Sequence, residues 1–159
     1  MRIVIFSDSH NHYSLLKNVV ETHPDAEYFI HLGDGERDLQ SLAGAFPRKR
    51  FLFARGNRDQ LSQKPAEGVL ECSGKRIFYT HGQYYGVKCN LHKLIARAKE
   101  VSADIALFGH THQALDTYEH GLYIMNPGSV ALPRDCEPSY GVIDITPAGV
   151  ATHIARMKE

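Results

Sequence analysis

The chain has no tryptophan, and cysteine accounts for only 3 of its 159 residues. Cys72, Cys89 and Cys136 form neither a CxxC pair nor an even-numbered framework, which argues against a disulfide-stapled scaffold. All three read as structural free thiols in a reducing compartment, because an isolated cysteine ordinarily behaves as a small buried hydrophobe. An excess of either charge is missing too, since 18 Lys and Arg match 18 Asp and Glu. Without a positive excess, long nucleic acid is not the expected partner. No apolar run approaches the roughly 18 residues of a membrane span, and Met1 leads straight into a strand-like run instead of a signal segment. A cytoplasmic, soluble protein with no membrane partner is therefore expected. The length suits one domain over residues 1–159, able to bury about 70% of its unfolded surface.

What is present is a series of short apolar, β-rich runs: RIVIF from 2, EYFIHL from 27, RFLFA from 50, RIFYT from 76 and DIALF from 104. Helical spacing falls between them, at Leu15, Leu16, Val19 and Val20, then at Leu39, Leu42 and Ala43, and again at Leu91, Leu94, Ile95, Ala98 and Val101. Alternating strands and helices predict βαβ crossovers and a mostly parallel inner sheet, hence an α/β fold. After residue 112, ALDTYEHGLYIMN, YGVIDIT and GVATHIARM are separated by Gly and Pro turns, which predicts antiparallel hairpins forming a second sheet.

Each apolar run ends in a polar cluster. The first closes in Ser7, Asp8, Ser9, His10 and Asn11, the second in Gly33 and Asp34, and the third in Gly56, Asn57, Arg58 and Asp59; the fourth closes in His81 and Gly82, and the fifth in Gly109, His110, Thr111 and His112. Carboxyl ends of parallel strands meet in one crevice, so one site is predicted. In an extended segment residues i and i+2 point to the same side, so Asp8 with His10, and His110 with His112, can each address one centre. Two Asp, one Asn and four His gathered without a cation would leave charge uncompensated and nitrogens unsatisfied. Seven such groups exceed what one zinc-type ion takes, and carboxylate, imidazole and amide oxygen suit Mn, Fe or Zn. Two ions sharing a carboxylate, roughly 3.5 to 4 Å apart, fit the count and the geometry of in-line displacement at phosphorus.

DSH at 8, GD at 33, GNRD at 56, HG at 81 and GHTH at 109 reproduce, in order, the signature of the calcineurin-like metallophosphoesterases. With NPGS at 126 and its short length, the chain resembles the small bacterial YfcE-type phosphodiesterase branch of that family. The resemblance implies a four-layer α/β/β/α sandwich of two mixed sheets flanked by helices. It implies that Asp8, His10 and His112 ligate one metal, that Asn57, His81 and His110 ligate a second, and that Asp34 bridges them. Manganese is the ion it points to, with Fe, Zn and Ni as alternatives. The implied activity is hydrolysis of small phosphodiesters; a nuclease or phosphomonoesterase on the same centre, and a non-catalytic scaffold of the retromer-subunit type, are the alternatives. Relatives often form dimers or tetramers, so a homo-oligomer is among the expected states.

One position departs from the wider family. Many members carry a His where this chain has Arg58, which removes the usual general acid, because a guanidinium is a poor proton donor. Arg58 is expected either to clamp a phosphate oxygen with Asp59 fixing it, or to be a surface residue paired with Asp59. Asn11, Asn126, Gly128 and Ser129 are the candidate substrate contacts, with NPGS read either as a turn facing the site or as a plain turn joining strands. Tyr84 and Tyr85 are read as lining a substrate pocket or covering core, and His12 as a rim residue. His23, His31, His92, His120 and His153 are read as structural or surface residues.

Overall fold

Why two sheets and not one becomes clear from the edges that each apolar run leaves to be paired. The structure, a computed structural model, describes residues 1–134 and 137–158. Cys136 lies outside them. The first half builds β1 (Arg2–Phe6), α1 (Tyr13–Thr22), β2 (Tyr28–His31), α2 (Glu36–Ala45) and β3 (Arg50–Phe53). There follow β4 (Glu67–Cys72), β5 (Lys75–Thr80), α3 (His92–Glu100), β6 (Ile105–Leu107), β7 (Ala114–Glu119), β8 (Leu122–Pro127), β9 (Ser139–Thr146) and β10 (Gly149–Arg156).

The strands make two five-stranded sheets, ordered β10-β9-β1-β2-β3 and β4-β5-β6-β8-β7. Parallel pairing is confined to β1-β2-β3 in one and β5-β6-β8 in the other, with antiparallel strands outside. The sheets pack face to face. Ile3, Ile5, Ile30 and Leu32 of the first meet Ile77, Ile105, Leu107 and Met125 of the second in one buried cluster. Side chains one position along point the other way. Val4, Phe6 and Phe29 therefore meet Leu16, Val19 and Leu42 of α1 and α2, while Phe78, Ala106 and Ile124 meet Leu94 and Ala98 of α3. This is the four-layer α/β/β/α sandwich. No helix among the described residues is long and apolar enough to cross a membrane.

Two expectations about the sheets are corrected. The five apolar runs do not share one inner sheet: three enter the first and two the second. The late hairpins do not build a sheet of their own either, because β9 pairs the open edge of β1 and β8 pairs that of β6, satisfying backbone groups that would otherwise stay unpaired. β4 escaped the sequence reading because EGVLEC is a half-exposed edge strand with adjacent, not alternating, apolar residues. Cys89 is also corrected: it is exposed, whereas Cys72 packs half-buried against the inter-sheet core.

Leu42 is fully buried under α2, and Ala43 beside it is exposed. Replacing Leu42→Ala is expected to cost about 2–5 kcal/mol of unfolding free energy. Ala43→Ser is expected to stay within about 0.5 kcal/mol, both read from urea unfolding midpoints.

Candidate metal centre

The strand ends of both sheets converge on one rim. Asp8 Nα–H donates to the Gly33 carbonyl at 3.0 Å and His10 Nα–H to that of Asp34 at 3.1 Å, aligning the loops after β1 and β2. The Gly109 amide donates to the His81 carbonyl at 3.0 Å, aligning those after β5 and β6. Bonds also cross between the sheets, among them the His110 amide to Asp8 Oδ2 at 3.3 Å and His81 Nδ1 to the Leu32 carbonyl at 2.5 Å.

All seven predicted donors arrive at this rim. Asp8, His10, Asp34 and His112 each offer an atom within 4.8 Å of the others. His112 Nε2 stands 3.1 Å from Asp8 Oδ1, and His10 Nε2 stands 3.9 Å from both Asp8 Oδ1 and Asp34 Oδ2. Beside them, His81 Nε2 lies 3.0 Å from Asn57 Oδ1, 3.1 Å from His110 Nδ1 and 3.5 Å from Asp34 Oδ2. Asp34 thus touches both groups. Asp8 Oδ1 and His10 Nε2 are buried with no hydrogen-bond partner, an arrangement that costs free energy unless a cation sits between them. The donor set therefore fits divalent metal.

The way the donors converge differs from the extended geometry expected of the i, i+2 pairs. Asp8, His10, Asn11, Asp34, His110 and His112 all have positive φ, between 43° and 69°, in the left-handed region that side chains beyond glycine rarely adopt. His110 and His112 consequently part, His110 toward His81 and His112 toward Asp8. Each such residue costs on the order of 1 kcal/mol, which the surrounding bonds must offset. Gly33, at φ 101°, is required outright: a Cβ there would lie 2.6 Å from His81 Nδ1.

Backbone carbonyls select the histidine tautomers. Because Leu32 O and Leu132 O can only accept, His81 and His112 carry their protons on Nδ1, leaving both Nε2 lone pairs facing the centre. Ser7 Oγ donates to Asp8 Oδ2. Burial pushes the Asp8 carboxyl up, but His112 when it takes a second proton at Nε2, together with His81 and Ser7, outweighs that push and holds the carboxyl below its usual range, and Asp8 in turn raises His112. Asp34 moves the opposite way, burial raising it more than His81 and the Arg58 amide lower it. Burial, with the charges of His81 and Lys88, takes His110 down to about 4.

The NPGS residues are not where substrate contacts were expected. Asn126 and Ser129 are fully buried. Asn126 Nδ2 donates to Gly109 O at 3.0 Å and Thr111 Oγ1 at 2.9 Å, while its Oδ1 accepts the Gly128 amide at 2.9 Å. Ser129 Oγ donates to the Asp8 carbonyl at 2.8 Å. These residues hold the two ligand loops in place. Asp59 is corrected as well: it does not fix Arg58, because its carboxylate accepts the amides of Asp34, Gly35, Glu36 and Gly56 at 2.7 to 3.2 Å. Arg58 donates its amide to Asp34 Oδ1 at 2.8 Å and sends its side chain, with Asn11, into a cleft that opens beside His10 and Asp34. Tyr85 bonds Glu67 and packs on Phe78, so it covers core, and neither it nor Tyr84 borders that cleft. His12 caps the ligand loop through Nδ1 to Ser9 O and His10 O.

Three residues support the loop that carries His10, and of these only Asp38 lies outside the residues the sequence singles out. Ser9 Oγ donates to Asp38 Oδ2 at 2.5 Å and so accepts from His31 Nε2 at 2.9 Å, while His31 Nδ1 accepts the Gly33 amide at 3.1 Å. Asp38 Oδ2 also accepts the Asn11 amide at 3.0 Å. The loop bearing His10 is thereby tied to α2 and β2. A signal was there for Asp38, a carboxylate on the same helical face as Leu39 and Leu42.

Residues 1–147 match the model of the calcineurin-like phosphoesterase superfamily domain, and the chain belongs to that family. It is a metallophosphoesterase, an enzyme of phosphoester hydrolysis. It is 33% identical to the probable metallophosphoesterase YsnB of Bacillus subtilis, over 84% of this chain and 78% of that protein. To phosphodiesterase YfcE of Escherichia coli it is 28% identical, over 91% and 88%. The structure of a conserved uncharacterized Streptococcus pneumoniae protein, described as a predicted phosphoesterase, superposes with a TM-score of 0.80 at 25% identity, covering 97% of each chain.

Burial lowers His31 to about 4, so the fold resists a proton that the unfolded chain accepts near 6.5. Stability of the metal-free protein is therefore full above that ordinary value and is expected to fall as pH drops toward 4, by on the order of 3 kcal/mol from this residue. Denaturant unfolding between pH 7.5 and 4.5 should show a flatter profile in His31→Gln; an unchanged slope would contradict the assignment.

Proposed function

We propose that the protein hydrolyses phosphodiester bonds of small substrates at a centre of two divalent ions. The observation that carries this reading is Asp34, whose Oδ2 faces His10 on one side and His81 on the other. In this reading Asp8, His10 and His112 hold one ion, Asn57, His81 and His110 the other, and Asp34 both. Carboxylate, imidazole and amide donors suit Mn, Fe or Zn, and the resemblance to the YfcE-type branch points to manganese, with Fe, Zn and Ni as alternatives. Bound there, the ions supply Lewis acidity toward the phosphoryl group and an acidified water as nucleophile.

The chain supplies orientation and charge. Leu32 O and Leu132 O keep the imidazoles in register, Ser7 and Ser129 fix Asp8, and Asp59 fixes the loop that carries Asp34. Arg58, rooted beside Asp34 through its amide, brings a guanidinium to the phosphate oxygens. A guanidinium does not release a proton, so the departing oxygen must leave largely unassisted.

Two measurements test the reading. Chelation is expected to abolish hydrolysis of bis(p-nitrophenyl) phosphate and Mn²⁺ to restore it, with Asp34→Asn losing roughly 100-fold or more, the upper end of what disturbing one partner of a metal site costs. Protein inert with every ion offered would instead support the scaffold alternative. Across a series of aryl and alkyl phosphodiesters, kcat/KM should fall steeply as the leaving-group pKa rises, and a flat series would reveal a general acid.

A further inference from the structure

The cleft beside the metal centre has about 530 Å³ of room, enough for a nucleotide-sized group. It runs from His10 and Asp34 between the first turns of α2 and the segment 58–62. Its two arginines come from different segments, Arg37 from α2 and Arg58 from the loop after β3, and both residues are exposed without an ion-pair partner among the described residues. The cleft also holds three carboxylates, none of which forms an ion pair with either arginine. Asp34 is turned to the metal donors, Asp59 is saturated by four amides, and Glu36 accepts from Gln40 Nε2 one turn along the helix. Leu61, 97% exposed, completes the far end with an apolar surface.

Arg58 is bonded through its backbone to Asp34 and, in the reading above, serves the phosphate at the centre; Arg37 has no such tie and lines the cleft from α2. We propose that Arg37 marks a second-phosphate subsite, and that the preferred substrates are short phosphodiesters whose departing half carries its own phosphate, with its organic body against Leu61. This rests on the phosphodiesterase reading above. The step adds one water across the P–O bond: the hydroxyl goes to phosphorus, the bond to the departing oxygen breaks, and that oxygen ends with the proton. A 5′-phosphorylated diadenylate, pApA, would give two molecules of adenosine 5′-monophosphate.

The full chain loaded with Mn²⁺ is assayed on pApA and on ApA, which lacks the 5′-phosphate. The expected kcat/KM ratio is about tenfold or more in favour of pApA, shrinking toward one in Arg37→Ala, surviving in part in Arg37→Lys, and eroding in about 0.5 M salt because the contact is solvent-exposed. Equal rates in the unaltered chain, or a ratio untouched by Arg37→Ala, overturn the proposal while bis(p-nitrophenyl) phosphate hydrolysis leaves the diesterase reading standing. Independently of turnover, metal-free protein is titrated with adenosine 5′-monophosphate and with adenosine while amide resonances are followed. Shifts at Arg37 and Leu61 with the nucleotide alone support the subsite; a silent titration overturns it even if no diester is cleaved.

Discussion

The buried carboxylate of Asp8 is the point through which the two sheets communicate. Its Oδ2 takes the Ser7 hydroxyl and the His110 amide, one from each sheet's loops, and its Oδ1 faces His112. Its own carbonyl anchors Ser129 from the loop after β8. A charge so placed needs donors to remain ionised, and the fold provides them from the loops after β1 and β6. Once those bonds are satisfied, Oδ1 remains unpartnered, and the surrounding imidazoles inherit the same unmet requirement.

Such convergence carries a conformational cost, because six residues at the rim hold left-handed backbone. A structure tolerates this only where neighbours over-determine each residue, and the neighbours here are specific: Asn126 under Gly109 and Thr111, Asp59 under residues 34–36, Asp38 under Ser9 and Asn11. The residues first singled out as contacts for substrate prove to be struts. Their polar atoms face inward, and the cleft is left to Asn11, Arg37 and Arg58.

Much of this was legible in the amino-acid order, and the exceptions share a cause. The parallel strands announced themselves as apolar runs, and the donors stood at their ends because that is where chains turn over a crevice. What periodicity could not reveal was which sheet each late hairpin would join, since an edge is a property of the assembled neighbour: β8 and β9 look alike in texture yet pair β6 and β1. Spacing within HxH was likewise insufficient, because the left-handed φ of both histidines sends them apart. His31, which the sequence leaves as a structural or surface residue, is structural. Its partners, Ser9 and the Gly33 amide, meet it through the tertiary fold and a local turn, which no spacing rule in the chain discloses.

The bond from His112 Nδ1 to Leu132 O has a temporal consequence. During synthesis, the imidazole that faces Asp8 receives its orienting acceptor only after the chain has grown past β8. A nascent polypeptide therefore carries the early donors Asp8, His10 and Asn57 long before the rim can close, and tight capture of a cation is deferred until both sheets have docked. Binding of metal at such a rim is thus coupled to completed folding.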